Sequence, residues 1–398
     1  MCLADKKGVV MLNSIMNDLN RALAQHILVN VYQTNQEVVY TGYVTAVSEN
    51  GIILATFDDF GLPDGAVFLA IEVIDEVEFS SDDLDNMAFR IQTAQEEDFI
   101  QAGGLTMQFD GQRDLRRQVL SHAWVDHLVV MLVVKDDEHF YEGLVTSVAA
   151  DQVTIQLLNK FDYSDQPVFT LNPDQLEVIE FQGKELTLQG IAAPHLRKLS
   201  HVATKEVTDA KLIPETLQQL VGHESLVALV PSHDKELFFV GRINVVTQNA
   251  VIMNLIDMTG QFGGYTLMRL TELHAVVIES DYLQTMRLFS LLNQARQHQI
   301  QPVLNDERLF DPTVDQFSAR LTQAAAFRTI MRLKLHDNTA LLGYPSQVGG
   351  ERFIFHEVED NQLDQVGKVY RISDIDEIAF GYLDAYLVER QLRVEGDL

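Results

Sequence analysis

Several groups of side chains in this sequence have the types that enzymes use, but their spacing does not suit catalysis. Gly222-His223-Glu224-Ser225 contains the residue types of a hydrolase triad, yet neighbours within one turn cannot form the relayed hydrogen bonds of a triad. His122 and His127 lie five residues apart, whereas two metal ligands on one helical face need the closer spacing of helical neighbours. No phosphate-binding glycine loop or dinucleotide fingerprint occurs. We therefore expect no catalytic residue, no metal and no cofactor, and a protein that is not an enzyme.

Carboxylate clusters are the next candidates, because neighbouring acids serve acid–base chemistry or bind calcium. None of them has the alternating oxygen ligands, central glycine and final glutamate of a calcium-binding loop. One cluster opens a helical pattern, where the helix dipole favours negative charge by ~0.3–1 kcal/mol, and there we expect capping. The clusters are Asp58-Asp59, Asp82-Asp83-Asp85, Glu96-Glu97-Asp98 and Glu357-Glu359-Asp360.

Two arginines and three loop aromatics are the candidate binding residues. Arg269 and Arg371 each lie four residues before an apolar strand residue, and they can contact nucleic acid or pair with a nearby carboxylate. Phe60, Tyr163 and Tyr265 lie in the same loop of successive segments. Such rings can stack on bases or anchor a partner, or they can fold over the core and close it.

The charge balance is strongly acidic, with 58 acidic and 29 basic residues and a net charge of −29. Residues 22–112 hold 16 acidic side chains and one basic side chain, Arg90, while residues 207–398 hold 26 acidic and 16 basic ones. Such a surface repels phosphate, whose contacts with lysine and arginine supply most nucleic-acid affinity. The charge therefore favours a protein partner, one of basic character, although RNA binding stays open.

Composition indicates an ordinary globular protein, with 46% hydrophobic and 22% charged residues. The single cysteine, Cys2, excludes an internal disulfide framework. No stretch approaches the ~20 apolar residues of a membrane span, and the N-terminus lacks the apolar run of a signal peptide. We expect a soluble, cytoplasmic protein without a membrane partner.

An internal repeat is centred on four glycines, which lie 101, 98 and 102 residues apart. At fixed offsets from them the chain repeats an aromatic or apolar residue two positions before, a valine five after, and apolar residues ten and twelve after. Shared offsets over such a window indicate a true repeat. The glycines are Gly42, Gly143, Gly241 and Gly343.

The pattern of each repeat predicts a helix followed by five short strands. The glycine lies inside the second strand, where it indicates a bend or bulge. Polar turns separate the first two strands, and further helices follow the first, third and fourth repeats over residues 82–96, 281–297 and 382–393. The predicted turns are Asn35-Gln36, Asp136-Asp137, His233-Asp234 and Asp337-Asn338. The predicted repeats are residues 10–104, 113–205, 206–300 and 312–395.

The second strand of the first repeat, Val38-Val39-Tyr40-Thr41-Gly42-Tyr43-Val44-Thr45-Ala46-Val47, resembles the glycine strand of the Sm-like fold. The resemblance implies an α+β, predominantly β protein of four tandem five-stranded SH3-like barrels, each with an N-terminal helix and helical connectors. Sm-like proteins typically bind RNA through two loops, one of which carries Arg-Gly. Arg269 and Arg371 stand at that arginine position here.

Two functions follow from these observations. The first is a non-enzymatic scaffold or adaptor that binds a protein partner through its acidic surface. The alternative is a diverged Sm-like RNA-binding or regulatory protein. Self-association into a closed ring of barrels stays open.

Overall fold

The computed structural model describes residues 4–34, 38–137, 139–359 and 361–398, with side chains from residue 14 onward. The predicted turn Asn35-Gln36 and the cysteine Cys2 lie outside the described residues. The chain forms two compact units, residues 1–200 (unit 1) and residues 201–398 (unit 2). The structure is 29% helical and 37% strand with mostly antiparallel sheets, which confirms the predicted α+β class. No described helix is both long and apolar enough to cross a membrane.

Unit 1 contains two successive sets of five strands, and in each set a helix precedes the strands and another follows them. A single turn of 3₁₀ helix separates the fourth strand from the fifth in both sets. The elements are α1 Ala4–Gln25, β1 Leu28–Gln33, β2 Val39–Ser48, β3 Gly51–Phe57, β4 Pro63–Ala70, a 3₁₀ turn Ile71–Val73, β5 Ile74–Glu78, α2 Asp82–Glu96, α3 Leu115–Val125, β6 Val129–Val134, β7 Phe140–Val148, β8 Val153–Leu157, β9 Val168–Leu171, a 3₁₀ turn Pro173–Gln175, β10 Leu176–Phe181 and α4 Lys184–Leu196.

Unit 2 repeats this order, with a short strand before the third set and an added two-residue strand within the fourth. The elements are β11 Lys205–Val207, α5 Ile213–Leu220, β12 Val227–Pro231, β13 Phe239–Val246, β14 Ala250–Ile256, β15 Phe262–Arg269, a 3₁₀ turn Leu270–Glu272, β16 Leu273–Glu279, α6 Asp281–Arg296, α7 Gln316–Phe327, β17 Met331–Leu335, β18 Ala340–Gly349, β19 Arg352–Glu359, β20 Gln362–Leu363, β21 Lys368–Arg371, a 3₁₀ turn Ile372–Asp374, β22 Ile375–Phe380 and α8 Leu383–Glu395.

Each unit has one continuous sheet in which two strand sets are joined edge to edge. The order in unit 1 is β5-β1-β2-β3-β4-β10-β6-β7-β8-β9. The order in unit 2 is β11-β16-β12-β13-β14-β15-β22-β17-β18-β19-β20, and β21 pairs with β19. In both units the fourth strand of one set pairs antiparallel with the fifth strand of the next set, as β4 with β10 and β15 with β22.

The prediction of closed five-stranded barrels is wrong, because these sheets are open. Among the described strands, the fourth and fifth strands of one set do not pair with each other. The physical reason in the first and third sets is that the fourth strand gives its outer edge to the neighbouring set. A sheet edge paired in this way no longer offers free backbone groups for closure.

The four repeat glycines pack against the neighbouring strand. A Cβ atom on any of them would lie well inside van der Waals contact with a backbone carbonyl oxygen of the next strand, for example that of Ala55 beside Gly42 and of His356 beside Gly343. A register shift follows the glycine in each second strand, between Val44 and Ala46 in the first set. The predicted bulge is therefore observed, and a side chain has no room at the glycine.

The central strands bury both of their faces, because side chains alternate between two cores. In β3, Ile52 and Leu54 belong to a core with Leu19 of α1, whereas Ile53 belongs to a second core with Leu115 and Leu120 of α3. Unit 2 has the same arrangement in β14. This explains why the sequences of these strands are continuous apolar runs.

Candidate functional site

A cavity lined by acidic side chains lies at the junction of the two strand sets in unit 1, where β4 pairs with β10. It has a volume of about 220 Å³. Strands β2, β3, β4, β7 and β10 and the first turn of α4 supply its polar lining. We call it the acidic cleft, defined by Tyr40, Asp64, Glu142, Glu180 and Glu185.

Glu180 is the central carboxylate of the acidic cleft. It lies in β10 opposite Val67 of β4, and its Oε1 accepts a hydrogen bond of 2.6 Å from Tyr40 Oη. Burial raises the pKa of Glu180; the Tyr40 hydrogen bond opposes this shift, and the charges of Asp64 and Glu142 add to it. No basic side chain pairs with Glu180 among the residues that the structure describes.

The other end of the cleft holds an ammonium group that belongs to the chain itself. Lys160 Nζ lies 3.2 Å from Glu142 Oε2 and also pairs with Glu185 Oε1, while Gln189 Nε2 donates to Glu142 Oε2 across 2.7 Å. Burial alone would lower the pKa of Lys160, but the charges of Glu185 and Glu142 outweigh it and the pKa is raised. At this end of the cleft, the carboxylates of Glu142 and Glu185 therefore bind the ammonium group of Lys160.

A buried hydrogen-bonded joint positions the helix that carries Glu185. The backbone N–H of Lys184 donates to Asp64 Oδ1 across 2.7 Å, and Lys184 Nζ donates to Asp58 Oδ2 across 2.5 Å. The N-cap residue, Gly183, has no side chain that could cap the helix. Asp64 supplies the missing acceptor from the adjacent strand, and this contact fixes the start of α4 against β4.

The junction of the two strand sets in unit 2 has apolar residues where unit 1 has the carboxylates of Glu142 and Glu180. The two junctions can be aligned by the repeat glycines and by the registers of the β4–β10 and β15–β22 ladders. In this alignment, three polar residues of unit 1 correspond to apolar residues of unit 2. Buried carboxylates cost free energy unless they are paired, and the junction in unit 2 shows that a junction of this kind does not need them. The corresponding pairs are Tyr40 and Phe239, Glu142 and Leu342, and Glu180 and Ala379.

The three predicted aromatic residues have different environments. Tyr265 is fully buried, and its Oη donates to the carbonyl oxygen of Asn305 across 2.8 Å. Tyr163 is 6% exposed. Phe60 is partly buried in the loop after β3, where its backbone N–H donates to Asp58 Oδ1. Tyr163 and Tyr265 are thus buried, as rings that fold over the core and close it would be, and they do not lie at the surface.

The two predicted arginines lie at the fourth strands of unit 2. Arg269 donates from Nε to the carbonyl of Ile375 across 2.6 Å and from Nη2 to the carbonyl of Ile372 across 2.8 Å. Arg371 is exposed and faces Arg352 in the β19–β21 ladder. The five predicted residues are divided between the two units, and neither unit brings its members into the acidic cleft.

Sequence reasoning missed the cleft. Tyr40 stands out in the sequence only as a repeat position, and Glu142, Lys160, Glu180 and Glu185 belong to no motif. One signal was available. Glu142 and Glu180 are charged at repeat offsets where the third and fourth sets have apolar residues, and such a difference between repeats marks a candidate site.

Comparison with known proteins gives no family. No protein-family model matches the sequence, and no curated protein matches it. Among solved structures, the crystal structure of YcgR in complex with c-di-GMP from Escherichia coli is 9% identical, with a TM-score of 0.14, and covers 46% of this chain and 91% of that chain. At this TM-score the likeness shows neither a shared fold nor a shared ligand.

Proposed function

We propose that this protein is a non-enzymatic scaffold that binds a basic protein partner, and that the acidic cleft receives a lysine or arginine side chain of that partner. Glu180 carries the proposal, because it is a partly buried carboxylate without a basic partner among the described residues. An incoming cation would give Glu180 the ion pair that Lys160 gives to Glu142 and Glu185. The net charge of −29 would speed association with a basic partner.

We further infer that the four strand sets are diverged Sm-like repeats opened into sheets. The support is the strand order, in which each fifth strand pairs with the first, and the 3₁₀ turn between the fourth and fifth strands of every set. The repeats would occupy residues 10–104, 113–205, 206–300 and 312–395. Pairing the fourth strand of one repeat with the fifth of the next protects the sheet edge and suits a scaffold.

The alternative function is that of a diverged Sm-like RNA-binding or regulatory protein. Arg269 gives two of its N–H groups to backbone carbonyls, so Arg371 is the more accessible of the two predicted phosphate contacts. One exposed arginine gives little attraction for phosphate in a chain with a net charge of −29. We therefore favour the basic protein partner.

Fluorescence anisotropy of a labelled lysine-rich peptide tests the proposed function. The informative variant is Tyr40→Phe/Glu180→Ala, which introduces the apolar residues that unit 2 has at two of the three corresponding positions, Phe239 and Ala379, and should therefore fold. The control is Glu49→Ala, which removes one charge from an exposed turn. We expect the peptide affinity to fall by about tenfold or more in the cleft variant and to stay near that of the wild type in the control.

Two outcomes would reject this function. Equal weakening in both variants would show that the peptide follows net charge alone. Absence of binding to the wild-type protein at low salt would reject a basic partner.

A further inference from the structure

Unit 2 contains a larger cavity of the opposite charge. It has a volume of about 440 Å³ and lies among the loop after α6, helix α7, the end of β22 and helix α8. Its charged lining consists of three arginines and one glutamate, which give a net charge of +2. We call it the arginine pocket, and these residues are Arg308, Arg320, Arg393 and Glu389.

Two of these arginines have no carboxylate partner among the described residues. Arg320 Nη1 donates to Gln323 Oε1 across 2.8 Å, but its buried Nε has no hydrogen-bond partner. The guanidinium groups lie over aromatic rings, Arg308 at 5.9 Å from the centroid of Tyr265 and Arg320 at 4.9 Å from that of Phe310. Burial lowers the pKa of Arg320, and the charge of Arg308 lowers it further. The two cations are therefore close enough to repel each other.

The single carboxylate of the arginine pocket is already engaged. Glu389 Oε1 accepts from Arg393 Nη2 across 2.9 Å, and its Oε2 accepts from the backbone N–H of Ile330 across 3.3 Å. The remaining charge of +2 belongs to Arg308 and Arg320. The chain has 58 acidic residues for 29 basic ones, so two neighbouring arginines that form no ion pair with a carboxylate of the described residues mark a place where an outside anion supplies the missing charge.

The shape and chemistry of the pocket indicate the class of anion. Guanidinium groups present planar forks of N–H donors that match the oxygens of phosphate. The volume lies within the range of roughly 300–1,000 Å³ that is usual for small-molecule sites. The rest of the wall is partly aromatic, with Tyr382, Tyr386 and the 66% exposed Phe327, and such rings pack well on a flat ring system.

We propose that the arginine pocket binds a phosphorylated small molecule of mononucleotide size, with Arg308 and Arg320 on its phosphate and the aromatic wall beside its ring. This inference goes beyond the proposed scaffold function and concerns a different unit. The lining of the acidic cleft lies entirely within residues 40–186, so the two proposals succeed or fail separately.

Calorimetric titration of the full-length protein tests this proposal with adenosine monophosphate, adenosine and inorganic phosphate as probes. We expect the monophosphate to bind, inorganic phosphate to bind more weakly, and adenosine to give no measurable binding. In Arg308→Ala/Arg320→Ala the affinity for the monophosphate should fall by about tenfold or more, because two charge-assisted contacts are lost. The control Arg287→Ala/Arg352→Ala removes two exposed arginines of the same unit and should keep the wild-type affinity.

Arg308 is exposed, so Arg308→Ala alone serves if circular dichroism shows that the double variant does not fold. The proposal is overturned if neither the monophosphate nor inorganic phosphate binds at millimolar concentration, or if the control pair loses as much affinity. Tight binding of a short single-stranded RNA without affinity for the monophosphate would assign the arginines to a polynucleotide and reject the small molecule.

Discussion

The guanidinium carbon of Arg269 lies 4.2 Å from the centroid of the Phe317 ring, and this pair connects the end of β15 with the start of α7. Unit 1 makes a related contact with the partners exchanged, since Arg116 on α3 lies 5.3 Å from the ring of Phe68 on β4. Arg116 and Phe317 both stand two residues after the aspartate that caps their helix. In this contact between helix and sheet, the arginine thus belongs to the helix in unit 1 and to the sheet in unit 2.

Replacement of Arg269 should destabilise unit 2. Arg269→Ala removes the cation–π contact with Phe317 and two hydrogen bonds to backbone carbonyls, and we expect a loss of about 2 kcal/mol in the free energy of unfolding. Urea denaturation followed by circular dichroism measures it. The exposed control, Arg371→Ala, should change stability by no more than about 0.5 kcal/mol. Equal effects of the two variants would contradict a packing role for Arg269.

A side chain at Gly42 should disrupt the second strand. In Gly42→Ala the new Cβ would collide with the carbonyl of Ala55, and overpacking of this kind costs about 1–3 kcal/mol. The matched control is Gly349→Ala, because no heavy atom lies within 4 Å of a Cβ added to Gly349. Denaturant midpoints of the two variants give the comparison. If Gly42→Ala were as stable as the wild type, the glycine would have a role other than close strand packing.

The stability of unit 1 should carry a pH dependence from Glu180. Its pKa is raised by burial, so the folded state holds this proton more tightly than the unfolded state does. The resulting stabilisation is fully present below the unfolded pKa of about 4.3 and is lost as the pH rises through the higher folded pKa. Glu180→Gln should therefore gain stability relative to the wild type between acidic and neutral pH.

Denaturation at several pH values between the unfolded pKa of Glu180 and neutrality measures this difference. Glu49→Gln serves as the control, since it neutralises one exposed carboxylate. A constant difference between Glu180→Gln and the wild type over the whole range would show that Glu180 titrates normally.

RNA binding should be weak at physiological salt. The chain has a net charge of −29, and phosphate contacts with basic residues supply most of the affinity for nucleic acid. Anisotropy of a labelled single-stranded RNA at about 50 and 200 mM salt tests this expectation. Tight binding that falls steeply with salt and is reduced by Arg371→Ala would support the diverged Sm-like RNA-binding function instead.

Local features of this chain were predictable from its residues. Asp82, Asp83 and Asp85 lie in the first turn of α2, where the helix dipole favours negative charge, but the residue that caps this helix is Ser81, whose side chain accepts from the backbone N–H of Leu84. Asp136 and Asn338 adopt positive φ in two of the predicted hairpin turns. Helix capping and turn geometry depend on neighbours in sequence, so residue types reveal them. Helix α4 was not predicted after the second repeat, because Gly190 and Pro194 interrupt its helical pattern and its cap comes from another strand.

The sequence by itself determined the α+β class, the spacing of the four glycines and the acidic charge, because periodicity and composition are carried by each segment alone. Only the tertiary structure decided that the strand sets form open sheets, since the pairing of β4 with β10 joins segments more than 100 residues apart. The same pairing brings Tyr40 to Glu180. Both cavities take their linings from distant segments of the chain, and the charge that remains unpaired in each depends on contacts that no local pattern encodes.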